Sequence, residues 1–414
     1  MSVAANLRAL RPASVILLAA SLLLSVSMGL RQSLGIFMQP LTHDIGITVS
    51  NFTLAIAIQN LAWGFLQPVS GALTERYGFR PVMLVGALLY VAGLAMLASA
   101  HGLVSIVIGA GVLIGVSLSC TAAAIANSVA SRAVSNALRS TVLGIVSAAG
   151  SLGAMITAPI GQVLAQDFGW RTGIVGFSVI ALVMIPAAWI SGRVDGIPMT
   201  AHEGATDIDK VGAGMAVRAA FTNPAFMVMT CAYFVCGMQL IFLSTHLPSY
   251  LAICGMDPML SAEALGVIGG FNVLGSLFFG WAGGRWNKLA LLGGMYISRS
   301  LILVWYFITP PTPTSTLVFS ALMGFLWLGV SPLVSGAIVE MFGLRWQAMI
   351  AGIAFSSHQL GSFLGAYGGG LVFDATGSYG LAWRIGAAVG LTAGVIQVAF
   401  ALLKPMPPPV LATH

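Results

Sequence analysis

The sequence predicts an all-α membrane protein: twelve transmembrane helices grouped as two six-helix bundles. Three observations carry that expectation. Of the 414 residues, 58% are hydrophobic and only 7% charged, with a mean hydropathy of +0.97, whereas soluble domains carry about a quarter charged residues. Apolar runs of roughly 20 residues or more, each long enough to cross a ~30 Å hydrocarbon core as a helix, recur from end to end with short polar or Gly/Pro links between them. The second half of the chain then repeats features of the first in the same order.

The first run, 14–38, follows Arg8 and Arg11 as a signal peptide would. It is too long for an h-region and eleven more runs follow, so it is expected as a retained helix. The second, 52–73, ends at a glycine-rich tight turn in "GALTERYGFRP", from Gly71 to Pro81. The third and fourth are 82–100 and 103–129; "GAG" at Gly109 to Gly111 lies inside the fourth and reads as packing, not as a nucleotide loop. The fifth, 141–166, carries Gly153, Thr157 and Gly161 at i, i+4 and i+8, a spacing that lets two membrane helices approach closely. The sixth, 172–192, is introduced by "FGWRTG".

The one long polar segment follows, "SGRVDGIPMTAHEGATDIDKVGAGMAVRAAF" from Ser191 to Phe221. It divides the chain into an N-terminal bundle 1–192, a linker 193–222 and a C-terminal bundle 223–414. The remaining runs are 224–252, 262–283, 289–309, 316–341, 347–373 and 380–403. "GIVSAAGSLG" from Gly144 and "GIAFSSHQLG" from Gly352 align without gaps, and Gly361, Gly365 and Gly369 then repeat the ridge of the fifth run. "LAWRIG" before the twelfth run echoes "FGWRTG", pairing Trp170-Arg171 with Trp383-Arg384. Parallel six-helix repeats place a site near mid-membrane between the halves, able to open to either side.

Charge sets the orientation. With the N-terminus inside, every one of the 17 Lys and Arg falls in an inside link or terminus except Arg171 and Arg384 outside and Arg31 and Arg299 within spans. Both termini are therefore expected in the cytoplasm and the chain in the cell membrane, its net charge of +6 serving topology. No basic patch interleaved with aromatics offers itself to nucleic acid. Cys120, Cys231, Cys236 and Cys254 lie within or at the ends of apolar spans without C-x-x-C or His/Cys ligand spacing, so no structural disulfide or metal is expected. With no P-loop, no Ser-x-x-Lys and no paired carboxylates, an enzyme, a cofactor and ATP-driven transport are unsupported.

The loop between the second and third spans resembles the signature of the major facilitator superfamily, a Gly, an acid-Arg pair, a Gly and a basic residue, here Gly71, Glu75, Arg76, Gly78 and Arg80. The family prefers Asp at Glu75 and often a second basic residue at Phe79. The resemblance covers nearly the whole chain and implies the major facilitator fold. It also implies a conformational gate, in which these charges pair across the cytoplasmic mouth in one state of the cycle and part in the other. The bland alternative is that they only enforce topology. In the second half, "GWAGGRWNK" keeps the glycines and Arg285 but has Gly284 where the acid would be.

"GMQLIFLSTHLPSYL" and "GIAFSSHQLGSFLG" resemble bacterial members of the monocarboxylate porter and oxalate/formate antiporter branch. That branch holds a carboxylate with a basic residue in the eighth span, which here has none before Arg285, and some members have a first-span lysine whose place Arg31 could take.

An ionisable side chain within the membrane costs ~2.5–3.5 kcal/mol on insertion scales and asks for a partner or a purpose. Every Asp and Glu lies in a loop or at a helix end, so Arg31 has no acidic neighbour at its own depth and a mobile anion is its natural counter-ion. Ser27 and Gly35, four residues to either side, leave room at the guanidinium. The alternative is an arginine that snorkels toward an interface or bonds to backbone carbonyls of a broken helix.

The resemblance puts the first, fourth, seventh and tenth helices around the cavity, with the second, fifth, eighth and eleventh beside them. That makes Arg31, His246 with its stripe-mates Gln239 and Tyr250, Asn272 on the eighth, and His358 with Gln359 on the eleventh the candidate substrate residues. His246 and His358 are the candidates for proton coupling. Gln59, Trp63, Gln67, Trp327 and Ser331 serve packing or the ligand equally well, and Arg299 on the ninth helix is expected to be structural. The expected function is secondary active transport of a small organic anion, most simply a monocarboxylate, either proton-coupled or by anion exchange. The alternatives are export of a drug or apolar solute and a non-transporting receptor that keeps the fold; the short tail "KPMPPPVLATH" argues against the last.

Overall fold

In a computed structural model describing residues 13–47, 49–197, 211–256 and 258–403, all twelve expected spans are helical. Much of the polar linker, 198–210, and the terminal arginines and lysine expected inside, Arg8, Arg11 and Lys404, lie outside the described residues. Nine helical stretches are long and apolar enough, by length and composition, to cross a membrane. The other three, Val49–Tyr77, Pro258–Ala282 and Gln347–Thr376, have 29, 25 and 30 residues. The polar residues of the first and last of these face each other between the halves.

Several spans are broken. The first runs as a helix over Ser14–Ser33, tightens to a single 3-10 turn at Leu34–Phe37 and resumes over Met38–Ile45. The fourth widens to a π turn at Val107–Leu113 and breaks at Ala122, whose backbone is extended. The tenth is two pieces, Pro313–Phe325 and Val330–Phe342. Between the sixth and seventh spans a short helix, Ala213–Thr222, lies inside the segment read as linker. At Gly78 the turn takes φ of 89°, a region L side chains avoid, and both carboxylate oxygens of Asp195 accept from the Phe79 and Arg80 amides that start the third helix.

The two glycine ridges do the same work in each half. In the first, Gly29 and Gly153 bring the backbones of spans one and five together, and Thr157 hydrogen-bonds Ser33 at 3.2 Å. In the second, Gly361 meets the Phe234 carbonyl, Gly365 meets Met238, and Gly369 lies under Phe242 and His246 of the seventh span. A side chain at Gly29, Gly153, Gly361 or Gly365 would collide with backbone, and one at Gly369 with the Phe242 and His246 rings. Gly153→Leu is therefore expected to destabilise the first half by about 1–3 kcal/mol or more, read as a lowered melting midpoint in detergent. Gly102→Ala, where space is open, should leave the midpoint in place.

Contacts between the halves run mainly along two helix pairs. Span two packs on span eleven, with Gly71 against Ala348 and Met349, Gly352 against Gln67 and Pro68, and Ser356 Oγ donating to the Gly64 carbonyl at 2.6 Å. Span five packs on span eight, with Gly144 against Gly280 and Ser140 Oγ donating to the Gly280 carbonyl at 2.7 Å. Gly144 and Gly352 are the aligned positions of the sequence repeat, so the internal homology is an interface device. All these contacts lie between mid-membrane and the basic end, where Arg76, Arg132, Arg285 and Arg345 gather. On the other side of mid-membrane, Met155 and Ile156 of span five are both 52% exposed, and Gly266, Gly269 and Gly270 of span eight have open space beside them. Among the described residues the halves are in contact at the basic end and along the middle, and open space lies beside span eight beyond it.

Candidate functional site

Arg31 sits beside the described contact between the halves that lies farthest from the basic end, Asn60 with Gln359. Its guanidinium Nη2 donates to Asn60 Oδ1 on the second span and its Cζ lies 5.0 Å from the centroid of the Trp63 ring, one turn on. Its Nε is buried without a hydrogen-bond partner. Among the described residues no ion pair reaches it; the carboxylates pair elsewhere, Asp44 with Arg171, Glu75 with Arg132 and Arg345, Glu340 with Lys288. A cation at mid-membrane with one neutral partner and an aromatic face retains most of its demand for an anion.

Gln359 reaches the same asparagine from the other half, with Nε2 3.1 Å from the Asn60 backbone oxygen and 3.3 Å from Oδ1. Because both oxygens only accept, Gln359 must present its amide nitrogen to them and turn Oε1 toward His358 Nδ1, 3.2 Å away. That assignment puts the imidazole proton on Nδ1 and leaves Nε2 as the basic nitrogen. The imidazole stacks on Phe355 with centroids 5.5 Å apart and planes at 12°, and Tyr233 lies 4.7 Å from it. Phe355 also touches Trp63, at 4.6 Å. One chain of contacts thus runs Arg31, Asn60, Gln359, His358, across both halves, walled by Trp63, Phe355 and Tyr233.

The other expected substrate residues are not part of this chain. His246, expected across the cavity from Arg31, instead has Nδ1 3.3 Å from the Tyr379 hydroxyl and Nε2 2.9 Å from the Ala366 carbonyl, and its ring neighbours are Phe242 and Tyr379. It fills the room that Gly369 leaves in the second half. Gln239 donates to Ser300 and the Gly386 carbonyl, at 3.2 and 2.9 Å, and Tyr250 packs on Tyr306, Phe307 and Trp383. Single-span periodicity put these three on one stripe, but the stripe faces spans nine, eleven and twelve.

Asn272 and Arg299 share a structural task. The break in the tenth span leaves carbonyls and an amide without helical partners. Arg299, fully buried, donates to the Leu326 and Trp327 carbonyls at 3.1 and 3.0 Å and to Cys236 Sγ, while Asn272 Oδ1 accepts from the Leu328 amide at 3.0 Å. The cation at the C-terminal end of a half-helix is also favoured by its dipole. Bonding to the carbonyls of a broken helix, the alternative considered for Arg31, is what Arg299 does. Arg299→Ala is expected to cost about 2–5 kcal/mol, because it leaves two buried carbonyls without a donor at about 1–3 kcal/mol each, measured by thermal unfolding.

Asn60 escaped the sequence reading. Of its neighbours Gln59, Trp63 and Gln67, two are packing: Gln59 donates to the Ala110 carbonyl and Gln67 to the Ser119 carbonyl, both on span four at 2.7 Å. The signal available was the neighbouring stripe Asn60, Gly64, Gly71, small or polar at i, i+4 and i+11, which turns toward the other half.

At the basic end Glu75 accepts from Arg132 of its own half and lies 3.6 Å from Arg345 of the other, and Arg132 also donates to the Arg345 carbonyl at 3.3 Å. Gln347 Nε2 donates to Ser131 at 3.1 Å and Asn127 Nδ2 to Ser335 at 3.0 Å beside them. Of the signature residues, Glu75 and Gly71 therefore meet the second half. Gly78 makes the turn, Arg76 lies over Tyr77 and Arg80 over Trp189, within the first half. In the second half, where the acid of the signature is missing, Glu340 of span ten supplies one to Lys288.

Comparison with known proteins agrees with this architecture. The family model described as Major Facilitator Superfamily matches residues 18–366. The chain is similar to monocarboxylate transporter 13 of Bos taurus, 22% identical over 332 residues, 79% of this chain and 74% of that one. It is also similar to the sialic acid transporter NanX of Escherichia coli, 25% identical over 373 residues, 87% of this chain and 84% of that one. Among solved structures, the E. coli fucose:proton symporter FucP superposes with a TM-score of 0.73 at 14% identity, covering 96% of this chain and 99% of that one, a likeness of fold.

Proposed function

Because the chain belongs to the Major Facilitator Superfamily and is a membrane transporter, we propose that it carries a small organic anion, in the first instance a monocarboxylate, by alternating access. The observation that carries this reading is Arg31: a guanidinium at mid-membrane, at the edge of the space between the halves, with a neutral partner and an unpaired Nε. A carboxylate is the group that two parallel N–H donors fit. Two of the similar proteins are named for carboxylic acids, monocarboxylates and sialic acid, which supports the class.

In this reading Arg31 holds the carboxylate, with Gln359 and His358 opposite it on the second half and Trp63 and Phe355 as the apolar wall. His358, joined to the same chain of hydrogen bonds, is the proton carrier if transport is proton-coupled; exchange of one anion for another needs Arg31 alone. His246, bonded on both ring nitrogens within the second half, is assigned to packing. The bundles 1–192 and 223–414 rock about the linker 193–222. Glu75 with Arg132 and Arg345 closes the basic end, which the positive-inside rule turns to the cytoplasm of the cell, together with both termini. The site is then loaded from outside in the conformation seen.

A thermal-shift screen of acetate, pyruvate, lactate and benzoate against wild-type and Arg31→Ala protein tests the reading, since a ligand at a hundred times its Kd stabilises by about 2.7 kcal/mol. At least one acid should raise the wild-type midpoint and leave that of Arg31→Ala unmoved. No shift with any acid, or equal shifts in both proteins, overturns it. Uptake of that acid into liposomes with and without an inward proton gradient separates symport through His358 from exchange.

A further inference from the structure

The partner of Arg31 is itself informative. The Asn60 carboxamide is the neutral counterpart of a carboxylate: the same planar group, one oxygen presented to the guanidinium, without the charge. That oxygen also accepts from Gln359, so it ties the Arg31 cation of the first half to the second half. Among the described residues the pair formed by Asn60 and Gln359 is moreover the contact between the halves farthest from the basic end, so an anion entering from the other side meets it.

We propose that Asn60 is a stand-in for the cargo: its side-chain oxygen occupies Arg31 when the site is empty, and an entering carboxylate displaces it. This deepens the anion-transport reading and rests on it. Displacement has two consequences. A carboxylate oxygen wins the guanidinium because an ionised acceptor binds about twice as strongly as a neutral one, so the site rejects neutral amides and acids in their protonated form. The same event removes the Oδ1 acceptor from Gln359, leaving the weaker of its two bonds to Asn60 broken at the edge of the contact between the halves. Loading and loosening of that contact are then one step, as a two-state transporter requires of a ligand that shifts its equilibrium.

The choice of asparagine over aspartate follows from the same logic. An aspartate at 60 would pair with Arg31 permanently and hold out every external anion. An alanine would leave the guanidinium without a competitor. The proposal therefore predicts affinity changes of opposite sign at one position, which a residue that merely packs, or one that directly holds the ligand, would not give.

The test is titration of whichever acid of the panel, acetate, pyruvate, lactate or benzoate, shifts the wild-type protein, against Asn60→Ala and Asn60→Asp, with Arg31→Ala alongside. Asn60→Ala is expected to bind about tenfold more tightly, the equivalent of one charge-assisted hydrogen bond no longer competing. Asn60→Asp is expected to bind at least a hundredfold more weakly. Weaker binding in Asn60→Ala makes Asn60 a ligand contact and overturns the stand-in role, and so does unchanged binding in both variants. If Asn60→Asp does not fold, the sign of the Asn60→Ala change still decides. Arg31→Ala binding like wild type overturns the anion site as a whole, whatever the Asn60 variants do, so the two failures are distinct.

Discussion

Arg31→Ala is expected to lower carboxylate transport by two orders of magnitude or more without unfolding the protein. Two charge-assisted hydrogen bonds to a carboxylate are each worth about 1.5–3 kcal/mol, and alanine loses both. Arg31→Lys keeps the charge but not the planar fork, so a fall of about tenfold is expected, with the maximal rate less affected than the concentration dependence. Folding is spared because the guanidinium is bonded to Asn60 and not to an acid. Its removal strands no buried anion, and the ~2.5–3.5 kcal/mol cost of placing a cation within the membrane disappears with it. Uptake of labelled acid into proteoliposomes, normalised to inserted protein, together with the melting midpoint, checks both halves of the statement. Uptake by Arg31→Ala within twofold of wild type would sink the assignment.

Glu75→Gln should produce the other large effect, on conformation. The Glu75 side chain is only 7% exposed and meets Arg132 and Arg345, themselves 12% and 36% exposed. Removing the acid leaves two cations facing each other where the halves close. Truncating one partner of a buried pair costs about 3–5 kcal/mol, and even the low end is a hundredfold change in the balance between open and closed at the basic end. Arg345→Gln should do less, since that pair is longer and its cation is screened by water. Distances between spin labels on the exposed Tyr77 and Trp286 positions, one in each half at the basic end, should lengthen in Glu75→Gln and much less in Arg345→Gln. An unchanged distance distribution in Glu75→Gln would leave these residues a topological role only.

Periodicity and small-residue spacing make the helices and their near approaches legible in the sequence alone. The ridge Gly153, Thr157, Gly161 and its repeat do bring spans one and five, and seven and eleven, into backbone contact, because a glycine face constrains what can lie against it whichever helix that is. Charge arithmetic made Arg31 legible for a similar reason: a cation at a depth with no acid is anomalous regardless of the tertiary arrangement. Partners were harder. His246 and Arg31 both read as intramembrane polar residues on cavity helices, yet rotation of the seventh helix turns His246 toward Gly369 and Tyr379 of its own half. A helix of one hydrophobicity all round gives little signal for that rotation, and the seventh is such a helix. Asn60 was missed because the more regular stripe of Gln59, Trp63 and Gln67 lay beside it.

The sequence by itself determined that the chain crosses a membrane twelve times as two repeated halves, that its basic links lie on one side, and that Arg31 is a cation without an acid. Composition, span length and charge count are properties of the chain and survive any packing. Only the tertiary structure decided that Arg299 and Asn272 mend a broken tenth helix, that Glu75 of one half meets Arg345 of the other, and that Asn60 joins Arg31 to Gln359 while His246 lies elsewhere. Those are facts about which face of each helix turns toward which neighbour. In a bilayer, where lipid and protein are equally apolar, that rotation is set by close packing and by interhelical hydrogen bonds formed among several spans at once.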